Sequence, residues 1–465
     1  MSQKVKTLDL KVLKPIIKML PEVTSPEKKP VLKQRLYWVG FALLVFAILG
    51  VTKPIGVAAV EQSNYLQQIQ LITASKIGSL ATLGIGPIVM ASIILQLLMG
   101  AKIIDINLQD KEQKKLYQGL QKIAGILFAF FEAGIYVMSG FVPAQPGIIS
   151  TFFLIFQLAF AAIILMYLDE LISKYGIGSG IGLFIAAGVS FTIIWRALSW
   201  VKAPGTMTYI GLIPQLFQGI MTGNIPETAI FPLISTVIVF LAVVFAESMK
   251  IEIPLTFGRI KGYGAKYPLK FLYVSNIPVI FAAALLSNIQ LIGITLQGFG
   301  FPILGQFVNN RPVSGIAYYL KAPYGALANP AQIAITLSST QTILNIIVYA
   351  IVLTVLCVIF GKFWIEISGM SSKEVAQQLQ QVGLHVPGFR RDPRVIESVL
   401  DRYIPIITVV GSAAVGLLAI FADLTGALGT GTGILLTVGI LYKMYEELAA
   451  QQAAELMPML KGLIG

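Results

Sequence analysis

About ten stretches of roughly twenty apolar residues each, separated by more polar segments, constrain this 465-residue chain more than any motif in it. They fall at 36–52, 80–100, 120–141, 148–171, 178–198, 229–249, 271–292, 341–363, 404–423 and 426–445. A helix of that length crosses the hydrocarbon core of a bilayer. Only 12% of the residues are charged, against about 25% in an ordinary soluble domain. So little polar surface cannot keep several globular domains in water. The expected fold is an all-α membrane protein with ten transmembrane helices. Aromatic residues recur near the ends of these stretches, as an interfacial belt requires: Tyr37 and Trp38, Trp195 and Trp200, Phe363 and Trp364, Tyr442 and Tyr445.

Basic residues orient the spans. With the N-terminus inside, the outer side keeps only Lys53, Lys76, Arg196, Lys202, Arg311 and Lys321 of the 34 Lys and Arg. The positive-inside rule then places both termini in the cytosol. No cleavable signal peptide is visible, because the basic first thirty-five residues are interrupted by Pro15, Pro21, Pro26 and Pro30 without an apolar core.

Chemistry is sparse. Cys357 and His385 are each the sole residue of their type, which removes intrachain disulfides, thiolate clusters and most His-dependent catalysis. No phosphate-binding loop, zinc helix or nucleophile elbow is present. Neither a metal nor another cofactor is expected, and no enzymatic activity. Glu132 is the main carboxylate well within a span. Arg196, Asp169, Glu170, Glu247, Glu446 and Glu447 lie near span ends, where they can reach the interface. Ion-coupled carriers place ionisable groups along their pathway, so this scarcity argues against one.

Four segments do more than span. In residues 8–20, Leu13, Ile16, Ile17 and Leu20 share a helical face, with Lys11, Lys14 and Lys18 elsewhere. This is either a helix on the cytosolic membrane surface or a tether. Residues 60–79 carry Tyr65, Ile69 and Ile72 at helical spacing but too many glutamines for lipid. They either line a cavity or lie outside as an amphipathic helix. Glycines cluster at 84–86, 176–182 and 426–433, consistent with close helix packing or with abrupt helix starts. The stretches PLTFGRIKGYGAKYPLK (254–270) and PGFRRDPRVIESVLDRYIP (387–405) are basic loops. Their charge satisfies the orientation rule, but their length exceeds a simple turn and suits an anionic partner.

Several stretches are similar to the SecY family, specifically its archaeal branch. They are TLGIGPIVMASIILQLLMG (82–100), YLDELISKYGIGSGIGLFIAAGVS (167–190), EIPLTFGRIKGYGAKYPLKFLYVSNIPVIFAAAL (252–285), GIAYYLKAPYG (315–325) and GALGTGTGILLTVGILYKMYE (426–446). The resemblance implies two pseudo-symmetric halves, spans 1–5 and 6–10, around a central pore. It divides the chain into a cytosolic segment 1–35, an N-terminal half 36–200, an external linker 201–228, a C-terminal half 229–445 with cytosolic loops 250–270 and 364–403, and a cytosolic tail 446–465.

The same resemblance implies site residues. A ring of aliphatic side chains would form the pore's waist: Ile85, Val89, Ile181, Ile185, Ile280 and Leu436. The four-residue spacing of Ile85 and Val89, and of Ile181 and Ile185, puts each pair on one helix face. The polar segment becomes an external plug, about 66–79, including Leu66, Ile69, Ile72, Thr73, Ser75 and Ile77. Spans 2 and 3 against 7 and 8 become a lateral gate, with Glu132 and Asn288 matching its polar cluster and Met90 at the family's hydroxyl-bearing position. Arg259, Lys261, Lys266, Arg390 and Arg391 become the docking site for a ribosome. Two small membrane subunits, SecE/gamma and beta, are implied partners, and unfolded polypeptide the substrate. The implied function is a passive, gated protein-conducting channel in the plasma membrane that also releases apolar segments into lipid. The alternative, a secondary transporter for a small solute, needs a polar midplane site that the sequence does not show.

Overall fold

The computed structural model describes residues 14–27, 30–58, 74–100, 103–104, 106, 110–202, 208–223, 226–257, 264–274, 276–381, 384–385 and 393–456. Ten long helices follow the ten apolar stretches: α1 Leu32–Val51, α2 Gly86–Gly100, α3 Lys111–Met138, α4 Ile148–Tyr175, α5 Gly180–Leu198, α6 Glu227–Ser248, α7 Ile277–Gly298, α8 Thr340–Ser368, α9 Pro393–Leu424 and α10 Gly431–Leu456. Among the described residues, nine helical segments are long and apolar enough to cross a bilayer; α10 is not one of them. From Lys443 onward it also carries Glu446, Glu447, Gln451 and Gln452. Its first half is buried in the protein rather than facing lipid.

Helix edges depart from the apolar windows in a consistent way. α3 and α9 begin about ten residues earlier than their windows, and α10 ends later, because a helix continues past the bilayer as a polar extension. In the other direction, residues 426–430 are a turn, with Gly426, Gly429 and Thr430 at φ +69°, +78° and +65°. The predicted span 80–100 starts instead with a 3-10 turn at Leu80–Thr82, and α2 follows from Gly86.

Packing repeats with an offset of five helices. α2 packs on α3, α3 on α4, α4 on α5, and α1 on both α4 and α5. Likewise α7 packs on α8, α8 on α9, α9 on α10, and α6 on both α9 and α10. The two halves meet where α5 lies on α10 and where α2 lies on α7 and α8. One apolar cluster runs through this junction, with residues from α1, α2, α4, α5 and α6 to α10. The outer faces carry exposed apolar residues such as Phe152, Phe160, Leu241 and Phe245, as lipid contact requires.

The segments 250–270 and 364–403 contain strands that the sequence did not announce. β1 (Lys250–Phe257) pairs antiparallel with β2 (Gly264–Lys270), and Thr256 and Phe257 pair with β5 (Leu384–His385). Ile253 and Leu269 are buried under this sheet against Val375, Ala376, Leu379, Ile396 and Leu400. β5 covers only the end of β1, so the rest of that edge of β1, including Pro254, is unpaired by β5. A second hairpin joins β3 (Phe307–Val308) to β4 (Arg311–Pro312) through Asn309 and Asn310, both at positive φ. The segment predicted as an external linker holds a helix of its own, Leu212–Thr222.

Of the N-terminal amphipathic segment, residues 8–13 lie outside the described residues. The helix Lys14–Met19 rests on protein: Ile17 packs against Gly119 of α3, where a Cβ would come within 2.4 Å of it. Beyond it, Lys174 bonds both Glu22 (3.1 Å) and Glu170 (3.0 Å), and Lys122 bonds Glu170 (2.7 Å) and the Pro21 carbonyl (3.0 Å). The Lys174 hydrogen bond and charge hold the Glu22 carboxyl below the usual carboxylate range. These contacts tether the segment to the ends of α3 and α4.

Candidate functional site

The six predicted ring residues occupy the starts of four helices. Ile85 immediately precedes α2 and Val89 is in its first turn. Ile181 and Ile185 open α5, Ile280 is the fourth residue of α7, and Leu436 is the sixth of α10. Ile85, Val89, Ile185, Ile280 and Leu436 belong to the one apolar cluster at the junction of the halves, each at most 9% exposed. Ile181 is partly buried and packs on the same cluster. Two helices from each half therefore contribute aliphatic side chains to the one contiguous apolar cluster at their junction. Such residues offer a passing chain no hydrogen bond, and an apolar constriction resists ions by dewetting.

Leu66, Ile69, Ile72 and Thr73 of the predicted plug lie outside the described residues. The segment's last residues are placed. Ala74, at φ +46°, is 3% exposed and joins the ring's cluster. Lys76 N–H donates to the Ala81 carbonyl (3.0 Å) and Gly78 N–H to Thr82 Oγ1 (3.1 Å). Leu80 N–H donates to the Thr52 carbonyl at the end of α1 (2.9 Å). Ile77 is buried in a separate cluster, among α3, α4 and α7.

Ser75 and Ile77 also line a small cavity with Thr82, Leu83, Gly86, Glu132, Tyr136, Phe141, Asn288 and Leu291. Its volume of about 10 Å³ has room for about one water molecule. Here α2, α3 and α7 face one another. Glu132 is 8% exposed and Asn288 5%. Asn288 Nδ2 donates to the Ala284 carbonyl (2.9 Å), and a Cβ on Gly86 would lie 3.3 Å from Glu132 Oε2. The cavity thus gathers two of the three predicted gate residues. Met90 is not one of the side chains lining it; it packs on the central apolar cluster.

Of the docking residues, Arg259, Lys261, Arg390 and Arg391 lie outside the described residues, and only the backbone of Lys266 is described. It pairs with Pro254 in the hairpin. The strands flanking both basic loops share a single sheet.

With this geometry in view, comparison with known proteins is decisive. The family model for SecY matches residues 79–445. The chain belongs to the SecY family. The protein translocase subunit SecY of Methanocaldococcus jannaschii is 47% identical over 459 residues, covering 98% of this chain and 100% of that one. Its counterpart in Methanococcus vannielii is 45% identical over 97% and 99% of the two chains. A solved structure of a protein-conducting channel superposes with a TM-score of 0.82 at 46% identity, over 96% and 98% of the chains. In a canine ribosome–channel complex from the endoplasmic reticulum, the Sec61 chain is similar at a TM-score of 0.79 and 45% identity, over 96% and 98%.

Span ends are less uniformly interfacial than the sequence implied. Glu247 is 5% exposed, at the junction of α6, α7 and α10, rather than reaching the interface. Asp169 bends inward to the start of α5, where its Oδ1 accepts from Ile181 N–H (2.9 Å). Asp423, which the apolar window 404–423 conceals at its last position, is 2% exposed. Asn276 was missed as well. Its side chain donates to the Leu435 carbonyl of α10 (3.1 Å), beside the predicted ring residue Leu436. The available signal was the glycine facing each group: Gly180, Gly431 and Gly439 all stand where a side chain would collide.

Proposed function

We infer that this protein is a passive, gated channel that passes unfolded polypeptides through a membrane and releases apolar segments sideways into lipid. The carrying observation is that Ile85, Val89, Ile185, Ile280 and Leu436, from both halves, belong to one contiguous apolar cluster at their junction, with Ile181 packed against it. Ala74, just beyond the plug's N-terminal part, seats in the same cluster, as a plug resting on a waist would. The lateral gate is the contact of α2 with α7 and α8, with α3 across the Glu132–Asn288 cavity. A segment apolar enough to span would leave through it by the transfer free energy that drives helix insertion. No bond is made or broken in this reading, and the driving force comes from outside the chain. A cavity of about one water's volume is too small for the solute site of a carrier.

The gate predicts an effect of sign opposite to ordinary core mutation. Asn288→Leu removes a buried amide and lets α2 and α7 close on an apolar contact, which favours the shut state. Weakly apolar signal segments then cross less, while strongly apolar ones are little affected. Translocation of a graded set of signal segments in proteoliposomes checks this; equal loss across the set contradicts it.

On the basic side, the sheet that joins the two loops supports a ribosome-docking surface built from Arg259, Lys261, Lys266, Arg390 and Arg391. Both termini then lie in the cytosol and the membrane is the plasma membrane, with SecE/gamma and beta subunits as neighbours. Exchanging Arg390→Glu with Arg391→Glu should weaken ribosome binding at least tenfold, with a shallower salt dependence, since each lost phosphate contact lowers the slope by about one. Sedimentation with ribosomes across a salt series is the measurement. Binding unchanged at physiological salt moves the docking site elsewhere.

A further inference from the structure

The fifth helix of each half begins in the same way. α5 opens at Gly180 and α10 at Gly431, both buried, so their first N–H groups cannot turn to bulk water. In each case an aspartate from the end of the preceding helix supplies the acceptor. Asp169 of α4 accepts from Ile181 N–H (2.9 Å) and from Ser179 Oγ (3.4 Å). Asp423 of α9 accepts from Gly431 N–H (2.7 Å). Each contact needs a glycine at the first helical position. A Cβ at Gly180 would stand 2.5 Å from Asp169 Cα, and one at Gly431 would stand 2.3 Å from Asp423 N. Each approach loop also turns through a glycine at positive φ, Gly178 at +70° and Gly429 at +78°. The arrangement recurs five helices apart, in step with the repeat in helix packing.

These two helix starts hold half of the constriction. Asp169 bonds the backbone of ring residue Ile181 itself, and Asp423 bonds the helix start five residues before ring residue Leu436. α5 and α10 also pack directly on one another across the halves. A carboxylate at a helix N-terminus makes a charge-assisted bond and favours the positive end of the dipole. Its place fixes how far the helix reaches along its own axis.

We propose that Asp169 and Asp423 are a matched pair of positioning residues that set the heights of the fifth and tenth helices, and thereby the seal of the resting constriction. This rests on the reading of the six aliphatic residues as that constriction. A cap with a merely structural role would alter stability alone; a positioning residue also alters the leak of protein that remains folded.

The test uses the full-length chain in planar bilayers, with Asp423→Ala, Asp423→Asn, Asp169→Ala and Asp169→Asn beside Ile185→Ser. Folding is scored separately by protection of Cys357, the sole cysteine, which is fully buried. The alanine variants should leak ions about tenfold more than the parent at rest, the shift expected from one lost charge-assisted bond. The asparagine variants keep the acceptor oxygen and should restore most of the seal. Should an alanine variant fail to protect Cys357, its asparagine partner and the other aspartate decide: a folded asparagine variant at either position with an intermediate leak supports the pair, and one with parental leak beside a folded, non-leaking Asp169→Ala or Asp423→Ala overturns it. If Ile185→Ser leaks while folded aspartate variants stay sealed, the positioning role fails and the constriction stands. If Ile185→Ser stays sealed too, the constriction reading itself fails.

Discussion

Serine at Ile85, Ile181 and Ile280 together should make the resting channel leak ions. Ile85 immediately precedes α2, while Ile181 lies in α5 and Ile280 in α7, so the exchange would wet the proposed constriction from three elements. Each exchange removes about 2–3 kcal/mol of apolar burial and adds a hydroxyl that holds water. Dewetting of a narrow apolar passage is a cooperative effect, and lowering its barrier by only about 1.4 kcal/mol raises flux about tenfold. The expected result in planar bilayers is therefore a resting conductance at least tenfold above the parent. Polypeptide passage should persist, because serine does not narrow the path. Parental conductance in folded triple-variant protein would mean these residues do not form the barrier.

Gly439→Ala should be the most damaging single small substitution on the basic side of the C-terminal half. A Cβ there would lie 1.6 Å from Asn276 Nδ2 and 2.7 Å from Glu247 Oε1. Asn276 cannot yield cheaply, since it is 2% exposed and its amide is bonded to the Leu435 carbonyl. The methyl group must expel that amide and strand a buried donor, or push α10 from α6 and α7. Overpacking and the stranded group together cost about 3 kcal/mol. Thermal unfolding followed by a thiol-reactive dye at Cys357 reads this directly, as labelling at a lower temperature. Asn276→Ala in the same background should recover part of the loss by opening the space. A parental midpoint for Gly439→Ala would show that the junction is loose.

The existence of the spans was legible because a bilayer imposes a length on apolar runs, whatever the side chains pack against. Their edges were not. Lys111 to Gly119 and Pro393 to Tyr403 are helical but polar, so an apolar window cannot see them. The three-stranded sheet escaped because β5 lies more than a hundred residues from the strand it pairs with. Alternation in Lys250-Ile251-Glu252-Ile253 was its one local signal.

Site residues divide along the same line. Nothing local separates Ile185, fully buried at the junction of the halves, from Ile194, exposed on the same helix. Only the family resemblance singled out the ring. Glu132 stood out unaided as a carboxylate inside a span, but its neighbours Ser75 and Asn288 come from segments far apart in the chain. Asp423 was hidden at the end of an apolar window, and Asn276 lay inside the window 271–292, whose first residues turn out to be a turn. In both cases the information resided in the partner glycine across the contact, which sequence order does not reveal.

Stalled nascent chains offer the most direct trial of the whole account. A photoreactive residue is placed in turn at Ile185, at Leu436 and at the lipid-facing Leu241, and ribosome-bound chains of increasing length are irradiated. Adducts from both Ile185 and Leu436, once the chain is long enough to reach them and before any form at Leu241, are the predicted outcome. Adducts confined to Leu241, with none at either buried position at any length, would contradict passage between the two halves.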